Sequence, residues 1–148
     1  MELFGTSSGI LFDFNLIVQL FLMVLLAFGS YVMKTKHQMK NHGVIMATGT
    51  SINLVMVLLV MGPSLIRNWG AIVADPTNLG AIVTLAHVAM GLIALVGGVL
   101  FSFRFVSASR SGGKLACGKR PSMRAVMALW MLGLLLGLGF YTYYYVLA

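Results

Sequence analysis

The sequence predicts an all-α protein: an integral membrane four-helix bundle, up-down-up-down, with both termini outside the membrane. Three observations lead there. Hydrophobic residues make up 59% of the 148 residues and charged residues only 9%, where a soluble domain carries roughly 25% charged residues. Four apolar runs are separated by short polar segments. Nine of the ten lysines and arginines fall in alternate segments, which such a bundle places on one side. The length suits a single transmembrane domain, residues 1–148.

The runs cover residues 14–33, 44–65, 81–105 and 125–148. Each is close to the ~20 residues that cross a ~30 Å hydrocarbon core at 1.5 Å per residue. A helix satisfies its own backbone in lipid, and the ~10-residue alternating strands of a membrane barrel are absent. The opening Met1-Glu2-Leu3-Phe4 lacks the positive n-region of a signal peptide, so the first run is expected to be retained as a span.

The segments between the runs set the orientation. Residues 34–43 hold Lys34, Lys36 and Lys40, and residues 106–124 hold Arg110, Lys114, Lys119, Arg120 and Arg124, with Arg104 just before them. Residues 66–80 hold Arg67 and Asp75, and the N-terminal tail holds Glu2 and Asp13. Basic segments stay in the cytoplasm. The chain is therefore expected as a multi-pass protein of the cell (inner or plasma) membrane, in contact with membrane lipid. The net charge of +7 is explained by this flanking pattern, so no nucleic-acid partner is expected.

Short segments make sequential helices antiparallel neighbours. Pro121 stands where a proline opens a helix, and Ser111-Gly112-Gly113 loosens the third connection. Gly133 and Gly137 form a G-x-x-x-G pair, and Gly91 and Gly98 lie seven apart. Small residues let helix backbones approach closely in lipid. Packing within the bundle is the plainer reading of these four glycines; a dimerisation or partner-docking face is the other.

His87 is the most informative single residue. It falls about six residues, or ~9 Å, inside the outer end of the third span. An ionisable side chain at that depth should face protein or a cavity. Gln19 sits at a similar depth on the first span, Tyr141 and Thr142 on the fourth. Asn53, Met56 and Met61 come within reach from the second. These residues outline a buried polar cluster, with Gln19 the expected partner of His87. The chemical reading is a ligand to haem or copper, or a hydrogen bond to a quinone. The plainer one is a structural histidine satisfied by a neighbour.

His42 is a second cofactor candidate, and haem b the cofactor considered. His37 and His42 both lie at the cytoplasmic end, where interfacial histidines near headgroups are the simpler reading. They are more than ~20 Å from His87 by helix rise, so one haem is not expected to join His42 to His87. The eleven methionines fall mostly inside the spans, where methionine is an adaptable packing residue. Tyr141, Tyr143, Tyr144 and Tyr145, with Trp69, outline an outer aromatic belt, and Trp130 marks the inner boundary. Cys117 is the only cysteine, so no intrachain disulfide can form.

Enzyme signatures are missing. The three carboxylates sit near or beyond the outer boundary, so no intramembrane acid is expected. No paired carboxylates, phosphate-binding glycine loop or H-E-x-x-H site occurs. The expected activity is non-catalytic.

Several short motifs remain. His42-Gly43-Val44-Ile45-Met46 opens the second span after a basic segment, and Leu85-Ala86-His87 stands near the start of the third. Arg124 opens the fourth, followed by Trp130, Gly137 and Tyr141. With these motifs, residues 16–148 resemble the CtaM/YozB-like family of small four-span membrane proteins, associated with assembly of a haem–copper terminal oxidase. That family typically carries further histidines at the end of the second span and before the fourth. Here Met61-Gly62-Pro63 and Lys119-Arg120-Pro121 stand there instead, which would make this a divergent member. The resemblance implies an assembly factor or accessory subunit of a respiratory membrane complex, with other membrane protein subunits as partners. The alternative is a small b-type cytochrome or quinone-binding electron-transfer protein using His87.

Overall fold

A computed structural model describes residues 9–112 and 119–142. Cys117, Tyr143, Tyr144 and Tyr145 lie outside them. The described residues are almost entirely helical, in the order α1 (Ile10–Lys36), α2 (Met39–Met56), a π turn (Val57–Met61), α3 (Gly62–Ala74), α4 (Leu79–Arg110) and α5 (Arg120–Tyr141). From α2 through α3 the chain is one continuous 36-residue span, and all four spans are long and apolar enough to cross a membrane.

The helices close a square. α1 packs on α2, α2 on α4, α4 on α5, and α5 returns to α1. At the centre Leu26 of α1, Ala94 of α4 and Trp130 of α5 are buried, with Met46 of α2 packed against them. Trp130 is therefore a core residue, and its expected place at the inner boundary is corrected. An indole this bulky is best accommodated opposite small residues, and Gly98 supplies that space: a Cβ there would come within 3.0 Å of the ring. The outward faces are apolar, with Phe103 72% and Leu59 69% exposed. So large an apolar surface belongs in lipid, and the protein is a multi-pass membrane protein.

Glycine sets the spacing between helices. A Cβ on Gly43 would overlap the Phe105 ring, and one on Gly97 would lie 2.6 Å from Val126. A Cβ on Gly133 would stand 3.8 Å from the backbone nitrogen of Gly91, so the backbones of α4 and α5 run close there. Gly91 itself would direct a Cβ into open space.

The helices outrun the apolar segments at most ends, because polar residues there continue the same backbone hydrogen-bond ladder. The largest difference is residues 66–80, read from the sequence as a loop. Most of that stretch is α3, and the connection shrinks to residues 75–78. Asn78 caps α4 by accepting a hydrogen bond from the Gly80 amide at 2.8 Å, a strong helix-starting interaction. Pro63 is compatible with a continuous span because it stands in the first turn of α3, just after the π turn. A proline in a regular helix leaves a carbonyl without its donor and clashes with the preceding turn. Here the Gly62 amide reaches back five residues to the Val57 carbonyl. A Cβ on Gly62 would lie 2.9 Å from that carbonyl oxygen, so glycine suits the position.

Candidate functional site

Below the π turn, α2 packs against both α1 and α4. Beyond it, the α3 backbone comes near that of α4 only sparingly and, among the described residues, near neither α1 nor α5. α3 thus stands off the bundle. The gap beside it is a cavity of about 520 Å³, walled by all four spans at the end where the described chain begins and finishes. Asn15, Gln19, Asn68, Thr84, His87 and Tyr141 contribute its polar lining; Met23, Val60, Met61 and Leu134 contribute apolar lining.

His87, half-buried on α4, meets the Gly133 carbonyl of α5 through Nδ1 at 2.8 Å. A carbonyl only accepts, so Nδ1 carries the proton in a neutral ring and Nε2 keeps its lone pair. The ring lies across Gly137, where a Cβ would come within 2.8 Å of it. Both members of the G-x-x-x-G pair therefore face His87: Gly133 by its carbonyl and Gly137 by its missing side chain.

Gln19 is not the partner of His87. Its Nε2 is 3.5 Å from Asn53 Oδ1 on α2 and 3.3 Å from Asn15 Oδ1 one turn earlier. A backbone carbonyl already aimed at the imidazole leaves Gln19 to bridge α1 and α2. Thr142 is exposed and donates to the Leu138 carbonyl of its own helix, so it does not join the cluster. Tyr141 is buried and its hydroxyl donates to Asp13 Oδ1. That contact corrects two expectations. Tyr141 belongs to the interior, not to an aromatic belt. Asp13 belongs to the first turn of α1, with no exposed surface, not to a solvated tail.

The second cavity, about 580 Å³, lies at the basic end. His42 is buried beside it, with Nδ1 2.8 Å from the Gly29 carbonyl of α1. His42 thus ties α2 to α1 much as His87 ties α4 to α5. His37 occupies the turn between α1 and α2 with a left-handed backbone, φ 51°, and is exposed. The contact of Gly43 with Phe105 places His42 level with Phe105 on α4. Phe105 is eighteen residues from His87, so the two buried histidines stand about 27 Å apart along the bundle.

A haem b therefore cannot take both histidines. The cavity beside His87 has no lysine or arginine in its lining and includes Asp75, a poor match for two haem propionates. It fits a neutral headgroup better. Among the described residues no three of His, Cys, Asp and Glu gather as a metal site, and no buried side-chain polar atom lacks a hydrogen bond.

Comparison with protein-family models, with curated proteins and with solved structures finds no match.

Proposed function

We propose that this protein is a non-catalytic membrane component, an assembly factor or accessory subunit of a respiratory complex of the haem–copper oxidase type, in the cell membrane with both termini outside. The observation that carries the reading is the placement of the histidines. His42 and His87 are each held by a backbone carbonyl of the adjacent helix and stand about 27 Å apart by helix rise. Two such residues lock a bundle together more readily than they share a cofactor. The motifs around His42, His87, Arg124 and Trp130 supply the respiratory association. Membranes of cells lacking the protein should show a reduced haem–copper oxidase spectrum, restored by the wild-type chain. Undiminished oxidase content in such membranes sinks this reading.

The cavity beside His87 favours a second reading, a quinone- or haem-binding electron carrier. The Nε2 lone pair of His87 accepts a hydrogen bond from a quinol hydroxyl in this reading, and the Asn68 amide on the same cavity wall, which spends one N–H on the Ser64 carbonyl, has a second to donate. If His87 is structural, His87→Gln should fold and assemble like wild type, because glutamine also donates and accepts. Absorption spectra and quinone extraction of both purified proteins separate the readings. A stoichiometric haem or quinone in wild type, lost in His87→Gln, replaces the first reading with the second.

The orientation has its own test. In intact cells a membrane-impermeant thiol reagent should label a cysteine introduced by Thr6→Cys and leave Cys117 unlabelled. Labelling of Cys117 from outside would invert the bundle.

A further inference from the structure

The proposed respiratory role draws on His42, Arg124 and Trp130 but assigns no ligand to the cavity they line at the basic end, and that lining is divided by chemistry. Its interior is mostly apolar, with Met46, Phe101, Met127 and Trp130 on the walls and His42, Thr50 and Ser102 as polar exceptions, His42 and Thr50 already bonded to backbone carbonyls. Lys34, Arg120 and Arg124 also line it and are exposed, at the end of α1 and the start of α5. The first turn of α5 adds the partial positive charge of a helix N-terminus. The described residues include two carboxylates, Asp13 and Asp75, and both belong to the other end of the bundle. Nothing among the described residues therefore neutralises these cations.

We infer that this cavity is a binding site for an anionic phospholipid. The headgroup phosphate is held by Lys34, Arg120 and Arg124, and an acyl chain lies among the methionines and aromatic rings. A cavity of about 580 Å³ falls within the ~300–1,000 Å³ usual for ligand sites. Basic pockets between membrane helices on the cytoplasmic side suit anionic headgroups. The flexible thioethers of Met46 and Met127 can conform to a disordered chain. Charge complementarity selects the occupant: a zwitterionic lipid would bring its own cation into a cluster of three.

The test is lipid retention by the purified full chain in nonionic detergent, read by native mass spectrometry. Phosphatidylglycerol, phosphatidylcholine and inorganic phosphate are supplied in separate titrations. Phosphatidylglycerol should be retained and phosphatidylcholine washed away, with inorganic phosphate unable to displace the lipid. Arg120→Gln combined with Arg124→Gln should lower phosphatidylglycerol retention roughly tenfold or more. Met127→Trp, which fills the cavity and keeps the cations, should lower it as well. Arg67→Gln, on α3, should leave it unchanged. Equal retention of the two lipids, or undiminished phosphatidylglycerol in the double arginine variant, overturns the inference. So does displacement by inorganic phosphate, which would reduce the site to a surface anion contact. Haem occupying the cavity and lost with His42→Gln would also overturn it.

Discussion

Replacing Gly137 with leucine is expected to destabilise the bundle by about 1–3 kcal/mol, the usual cost of forcing a side chain into a filled space, and to displace His87. The first added carbon would lie 2.8 Å from the imidazole. The ring cannot swing aside freely, because Nδ1 is bonded to the Gly133 carbonyl on the same helix. Either α4 and α5 separate or the hydrogen bond breaks. Thermal unfolding in detergent measures the loss. Gly139→Leu is the control, since a Cβ there meets nothing within 4 Å and the melting temperature should hardly change. If both variants melt like wild type, the α4–α5 seam is looser than described.

The second large effect is expected at Asp13. Asp13→Ala removes the acceptor of the Tyr141 hydroxyl at a fully buried position. Losing such a bond typically costs about 1–3 kcal/mol. The loss should fall on the closure of the square, because α1 and α5 are joined there across nearly the whole chain. Tyr141→Phe tests the same contact from the other side. In a double-mutant cycle the two changes should couple by about 0.5–3 kcal/mol. Strict additivity would mean that the two side chains do not act together.

These two residues show where the sequence is readable and where it is not. The four spans are legible because an apolar run of about 20 residues matches a bilayer core and is longer than a soluble core can cover on all sides. His87 belongs to the interior because an imidazole at that depth needs a partner. Which partner is not legible: a backbone carbonyl such as that of Gly133 leaves no mark in residue identity. Asp13 hides for a different reason. At ~100° per residue it lies roughly opposite Leu22 on α1, away from the buried stripe of Leu22, Leu26 and Gly29. Its cover comes from α5, 128 residues later, and no local pattern reports a contact at that range. Helix α3 reads as a loop because Pro63 and the polar residues after it resemble a chain leaving the membrane. The π turn that accommodates the proline is a hydrogen-bond pattern, not a composition.

That turn also sets the phase of everything beyond it. A π turn closes its hydrogen bonds one residue later than an α-helix does. Relative to an unbroken helix, α3 therefore carries one surplus residue, worth a rotation of ~100° about the axis. Asn68 and Ser64 line the cavity beside His87 at this rotational setting. Excising one residue from Val57–Met61 would remove that surplus and swing both polar groups off the cavity wall, and would leave Pro63 without the wider turn that accommodates it. The polarity of that chamber is thus governed by the count of residues upstream of it as much as by their kind.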